Sequence, residues 1–222
     1  NLASGPTLPR GSGMRARQPV GQNTHCEFRT GNVMRLWPIE VQRAQYFSYA
    51  PDLPLNRVPR SREIRGGLRI ALRATAGLTF DQIALDELVI HLGGADDVAW
   101  QLHECALGNP VGVLVQPLSA TGVAGGTAAR QLPGSVIQPF GYEDDEALLP
   151  VTNTGFSGFR LVQEYFAFPQ RFQFIRVGDL HAALAGMATT EVEVVLLFSR
   201  GDAALEKLVS ADNVQLHCVP AV

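Results

Sequence analysis

Long apolar runs are missing from these 222 residues. No stretch approaches the roughly 20 consecutive apolar residues that cross a bilayer, and no signal peptide is present, so the sequence predicts no direct membrane insertion. Cysteine is scarce and odd in number. Cys26, Cys105 and Cys218 lie far apart, which suits reduced thiols of a cytosolic protein better than a disulfide framework. No C-x-x-C or H-E-x-x-H spacing occurs. His25-Cys26, His103-Glu104-Cys105 and His217-Cys218 read as buried thiols and edge histidines, because two of the pairs fall on expected strands, where neighbouring side chains point to opposite faces. No metal and no cofactor are expected.

Motifs for chemistry are equally thin. The Gly-rich stretch Gly122 to Gly126 lacks the Lys-Ser or Lys-Thr of a phosphate loop. Gly155-Phe156-Ser157-Gly158-Phe159 places Phe159 where a nucleophile elbow needs glycine, and no strand precedes it. The contiguous acids Glu143-Asp144-Asp145-Glu146 fit the solvated start of a short helix, since calcium loops need alternating ligands and catalytic carboxylate pairs come from separate elements. No catalytic residue is expected, and the sequence reads as that of a protein without enzymatic activity. Lysine is absent between Arg10 and Arg73, where 12 arginines face four acids for a net +8, while the remainder has 6 basic and 17 acidic residues for a net of -11. The arginines are spread singly along strand-like patterns, so pairing with the acidic part or with an acidic partner subunit is favoured over nucleic-acid binding.

What is present is a globular, strand-rich pattern, 46% hydrophobic. From Arg10 to Val41, runs around Met14-Ala16-Val20, Cys26-Phe28 and Val33-Leu36-Trp37-Val41 are separated by Gly11, Gly21 and Gly31-Asn32, as in successive β-hairpins. Asp52 to Arg60, with Pro54 and Pro59, reads as a connector or exposed edge. Leu68 to Ala74 alternates apolar and polar residues as a half-buried strand, and Leu88 to Leu92 and Val111 to Val115 read as further strands. A helix capped by Asp96 or Asp97 carries Val98, Leu102 and Cys105 on one face until Gly108. Ser119 to Ala129 lacks periodicity and reads as a loop. Shifting the chain by 106 positions lays Val89 to Leu92 on Val195 to Phe198 and Asp96 on Asp202, with a helix at Ala203 to Val209 and a strand at Val214 to Cys218 following. The expected class is therefore α+β and β-rich: a β-hairpin-rich segment and connector over 1–62, then two similar small α+β units over 63–150 and 151–222.

The aromatic residues concentrate in Gly158 to Val177, GFRLVQEYFAFPQRFQFIRV. Leu161, Tyr165 and Phe168 recur at helical spacing, Pro169 stops the helix, and Phe172, Phe174, Ile175 and Val177 resume as a strand. These rings are expected in the core; the alternative is that one edge of the set, Tyr165 and Phe166, is an anchor exposed to a partner protein. Trp37, Tyr165, Phe166, Phe168 and Pro169 are the candidate interface or structural anchors.

The run Leu161-Val162-Gln163-Glu164-Tyr165-Phe166-Ala167-Phe168-Pro169-Gln170-Arg171-Phe172 resembles the LxxEYFxFPxxFxF signature of the TssF (ImpG/VasA) family of type VI secretion baseplate components. Phe28-Arg29-Thr30 with Leu36-Trp37-Pro38-Ile39-Glu40-Val41 resembles its FRT…LWPxEV segment, and Phe140-Gly141-Tyr142 with Asp145 to Pro150 its GFxxDEALLP segment. Val214 to Pro220 resembles the approach to its C-T-P-x-V-N-L-F segment. Because the chain starts at Asn1 without a methionine and ends inside the last of these, it reads as an internal stretch of a longer protein. The resemblance implies a structural wedge subunit, a scaffold for the contractile injection machine, cytoplasmic and docked at the inner membrane. It also implies TssG, TssK, TssE and other TssF copies as partners, with the VgrG spike as a further candidate. A ligand- or carbohydrate-binding β-rich domain of a larger enzyme is the alternative.

Overall fold

The computed structural model describes residues 2–16, 26–118, 129–151 and 156–222. In chain order the strands are β1 (Thr7–Leu8), β2 (Gly13–Arg15), β3 (Glu27–Arg29), β4 (Met34–Arg35), β5 (Ile39–Phe47), β6 (Gly66–Ala74), β7 (Leu88–Leu92), β8 (Pro110–Pro117), β9 (Arg130–Pro133), β10 (Ile137–Phe140), β11 (Phe174–Val177), β12 (Glu191–Phe198) and β13 (Val214–Gln215). The helices are α1 (Asp96–Gly108), α2 (Ser157–Ala167), α3 (Leu180–Leu184) and α4 (Leu205–Leu208). The molecule is α+β and rich in strands, as expected. In the first part the neighbours β2 and β3 pair, as successive hairpins would, whereas β1 pairs with β4 from the far side of them. Val20, Gly21, His25, Gly155 and, from the stretch Ser119 to Ala129 expected as a loop, residues 119–128 lie outside the described residues.

A five-stranded antiparallel sheet in the order β5-β6-β12-β8-β9 carries most of the core. Its central strand reads as an almost unbroken apolar run because both its faces are covered. Val192, Val194, Leu196 and Phe198 point into the main core, together with Leu68, Ile70 and Leu72 of β6. Val195 and Leu197 point the other way, into a second cluster with Phe47, Ala50, Leu53 and Val58. The stretch expected as a connector or exposed edge is thus the cover of this second face: Leu53 and Val58, each preceding a proline, are buried there. The same face holds Glu193, fully buried, which accepts hydrogen bonds from Arg69 Nε (2.8 Å), Arg69 Nη2 (3.0 Å) and Gln116 Nε2 (2.8 Å). Asp52 closes on Arg69 at 2.7 Å. Burial alone would lower the Arg69 pKa, but its bonds to Glu193 and Asp52 outweigh burial and raise it. Arg73 pairs with Glu40, and Arg60 with Glu63, so several arginines of the basic part find their acids within the chain.

A four-stranded antiparallel sheet, β10-β11-β7-β13, packs across the main core. Helix α1 lies against both sheets, burying Val98, Ala99, Leu102, Cys105 and Ala106, the face its spacing predicts. Asp96 and Asp97 stand in its first turn without a side-chain cap bond, where they still favour the helix dipole. The stretches 63–150 and 151–222 interleave in both sheets: β12 runs between β6 and β8, and β11 between β10 and β7. The shift of 106 therefore aligns a strand of the four-stranded sheet with the central strand of the other.

Candidate docking surface

Helix α2 is built the wrong way round for a helix on a globular core. Phe168 caps it, its N–H bonding to the Glu164 carbonyl at 2.8 Å, and Pro169 opens a 3-10 turn, Pro169–Phe172, so the predicted stop at the proline is where the helix ends. Among its described side chains the buried ones are Arg160 and Glu164, the latter 2% exposed. The apolar ones face outward, with Phe166 80% and Phe159 71% exposed, and Val162 and Tyr165 about half. The face expected inside, Leu161-Tyr165-Phe168, is thus only partly covered.

Ionic contacts cause the inversion. The Glu164 carboxylate accepts from the N–H groups of Leu148 and Leu149 at 3.0 and 2.9 Å, and pairs with Arg160 one turn away and with Arg171 beyond the proline. Arg171, 1% exposed, donates to the carbonyls of Gly141 (2.6 Å) and Glu146 (2.8 Å). Burial, with Arg160 nearby, lowers its pKa to about 10, so it stays cationic at neutral pH beside its carboxylate. Arg160 also reaches Asp144 at 2.9 Å. The Glu146 carboxylate accepts from the Gly141 N–H at 2.6 Å and pairs with Arg176. The acidic run Glu143 to Glu146 forms a 3-10 turn, as its sequence suggests, but its last member is buried and bonded rather than solvated.

These bonds gather segments that are distant in sequence. Arg10 donates to the carbonyls of Asp145 (3.1 Å) and Ala147 (2.5 Å), Thr30 bridges to Ala221, and the Gly31 N–H bonds to the Pro220 carbonyl at 2.7 Å. A side chain at Gly31 would collide with Leu148, so glycine there permits the close approach. Phe28-Arg29-Thr30, 140–150, 161–172 and 218–220 meet at one place. From the Leu36 to Val41 segment Trp37 and Ile39 instead enter the core: Trp37 is buried, and its indole N–H donates to the Glu87 carbonyl at 3.2 Å. The sequence assigns no role to Arg160, Glu164 and Arg171, and marks Glu146 only as part of a solvated acidic run. The signal available was a charged i, i+4 pair inside an aromatic helix.

Below the exposed face the rings are packed. Phe172 and Phe174 are buried, as expected. Phe172 lies 5.0 Å from Tyr142 and 6.1 Å from Tyr165 between ring centroids, and Tyr165 is 6.2 Å from Trp100. Tyr142, Leu161, Val162, Tyr165, Phe166 and Phe172 line an apolar slot of about 220 Å³. His103 stands edge-on to Trp100, and burial lowers its pKa below the ordinary 6.5 despite a bond to the Phe172 backbone. A depressed histidine contributes stability that is complete above 6.5 and is lost as pH falls toward its folded value. Urea unfolding midpoints are expected to fall between pH 7.5 and 5, with a shallower slope in His103→Gln.

Among the described residues no group of three or more His, Cys, Asp or Glu side chains could hold a metal ion. A cleft of about 260 Å³ beside Trp37, Phe140 and Cys218 has Glu146 and Arg176 on its wall, but these two already pair with each other. No helix of the described residues is long and apolar enough to cross a membrane.

Comparison with known proteins gives this geometry its context. The chain is 39% identical, over all 222 residues, to the type VI secretion system component TssF1 of Pseudomonas aeruginosa, and spans 35% of that protein's length. Its fold matches a chain in the cryo-electron microscopy structure of the type VI secretion system TssK-TssF-TssG baseplate subcomplex with a TM-score of 0.76 and 23% identity, covering all of this chain and 39% of that one. The family model of the type VI secretion system protein TssF matches residues 1–222, and the chain belongs to that family.

Proposed function

We propose that this chain is a structural part of a type VI secretion baseplate subunit, which docks through the aromatic face of α2 and performs no chemistry of its own. The observation that carries the reading is the inverted helix: its charged side chains are buried in ion pairs while Phe159, Val162, Tyr165 and Phe166 are presented to solvent. Exposed aromatic clusters of this kind are the anchors of protein interfaces, where each ring can supply about 2 kcal/mol or more. Family membership supports TssG and TssK as partners, since the structural neighbour is a TssK-TssF-TssG complex. TssE, further TssF copies and the VgrG spike complete the expected set, in a baseplate on the cytoplasmic side of the inner membrane. Phe168 and Pro169 support the face by ending the helix where Arg171 can turn back to Glu164. Trp37 acts as an internal support.

The test is co-purification of the full-length protein with the TssG- and TssK-type subunits of the same organism. Tyr165→Ala with Phe166→Ala is expected to lower the unfolding free energy by no more than about 2 kcal/mol, since Phe166 is largely exposed and Tyr165 half exposed against Phe172 and Trp100. The same variant is expected to weaken association about 100-fold or more. Retention of both fold and binding would refute the assignment.

A further inference from the structure

We infer that the slot beside α2 receives one large apolar side chain, Leu, Met or Phe, from an uncharged helix of another baseplate subunit. This rests on the docking role of the α2 face and specifies what fills it. The slot is bounded by Leu161, Val162, Tyr165 and Phe166 on the helix and by Tyr142 and Phe172 across from it. An apolar cavity of about 150 Å³ accommodates a benzene ring, so about 220 Å³ holds one such side chain. It is smaller than the roughly 300 to 1,000 Å³ of small-molecule pockets.

The surroundings define the occupant further. Both charged residues of α2, Arg160 and Glu164, are turned inward, so among the described side chains the outward face offers Phe159, Val162, Gln163, Tyr165, Phe166 and Ala167. A charged partner surface would lose its hydration there without gaining an opposite charge. From the fractional exposures of Phe156, Phe159, Val162, Tyr165 and Phe166, the face amounts to on the order of 600 Å² of apolar surface. That is the upper end of what monomers expose and approaches the roughly 800 Å² that each side of a stable complex buries. A groove running beside a helix, with a hole between i and i+4 side chains, is the shape into which a ridge of a second helix packs.

The experiment uses the full-length protein and the purified TssG-type subunit of the same organism, titrated by calorimetry, with the TssK-type subunit in a parallel titration. Val162→Trp fills the slot from an exposed position and is expected to weaken binding at least 30-fold at an unchanged unfolding midpoint. Phe156→Ala, outside the slot, is expected to weaken it less than fivefold. Val162→Cys gives a second readout that does not depend on tolerance of the larger ring: its alkylation rate should fall at least tenfold in the complex. If Val162→Trp binds like wild type and the thiol of Val162→Cys alkylates equally fast bound and free, the slot inference is overturned, while loss of binding in the Tyr165/Phe166 variant would leave the docking role standing. If that variant also binds normally, both fall. Slow alkylation in the free protein overturns the inference too: self-association by light scattering would make the occupant a second copy, and a monomer would make it the protein's own chain.

Discussion

Glu164→Leu is expected to lower the stability of this chain by about 3 to 5 kcal/mol, the cost of removing one partner from a buried ion pair. The carboxylate it deletes bonds two backbone N–H groups, Leu148 and Leu149, and balances two buried guanidinium groups, Arg160 and Arg171. Leucine approximates the volume and satisfies none of the four. At roughly 2 to 4 °C per kcal/mol for a chain of this size, thermal melting should shift on the order of 10 °C. Helix α2 should lose its seat first, because these bonds rather than apolar burial hold it. Combining Glu164→Leu with Arg171→Met should cost less than the two changes summed, since the double variant no longer strands the Arg171 charge. A loss under about 1 kcal/mol for Glu164→Leu would mean that the ion pairs are incidental to the position of α2.

The second large effect belongs to Trp37. Trp37→Ala should cost about 3 to 5 kcal/mol through lost packing and the cavity it leaves. The indole lies in the main core with Ile39, Leu88 and Ile90, and Gly5 approaches so closely that a Cβ there would come within 2.6 Å of the ring. Trp37→Phe keeps most of the apolar contact and loses the bond to the Glu87 carbonyl, for about 1 kcal/mol. The contrast with Tyr165 and Phe166 separates a role in folding from the proposed role in docking. Changes at Trp37 should act on folding and reach assembly only through it, whereas changes at Tyr165 and Phe166 should act on assembly with little effect on folding. Chemical denaturation of the three single alanine variants measures the difference directly.

The elements of this fold were legible where one physical signal dominated. β6 alternates because its apolar face meets the core, and its register beside β12 then places Arg69 within reach of Glu193. Pro169 marks the end of α2 because its ring cannot continue the helix. The partnering of strands was not legible. That β12 is inserted between β6 and β8, and β11 between β10 and β7, depends on contacts far apart in sequence that periodicity does not encode. The buried face of α2 was misread for a related reason. Apolar spacing selected Leu161-Tyr165-Phe168, but burial followed the partners of Arg160 and Glu164, which lie on other segments. A helix inside a larger assembly can satisfy its ions on its own chain and leave its apolar side for a neighbour, so amphipathicity alone did not say which side faced inward. The separate sequence motifs, by contrast, pointed to a single place, because four of them are physically joined through Arg10, Gly31, Glu146 and Glu164.

The central claim is that the α2 face is open in the subunit and covered in the assembly. Hydroxyl-radical footprinting of Phe159, Tyr165 and Phe166 measures it, in the full-length protein alone and in complex with the TssG- and TssK-type subunits. The rings should be oxidised readily in the free protein and strongly protected in the complex, while buried Phe172 stays unreactive in both. Equal reactivity of the three rings in the two states, or full protection already in the free protein, would contradict it.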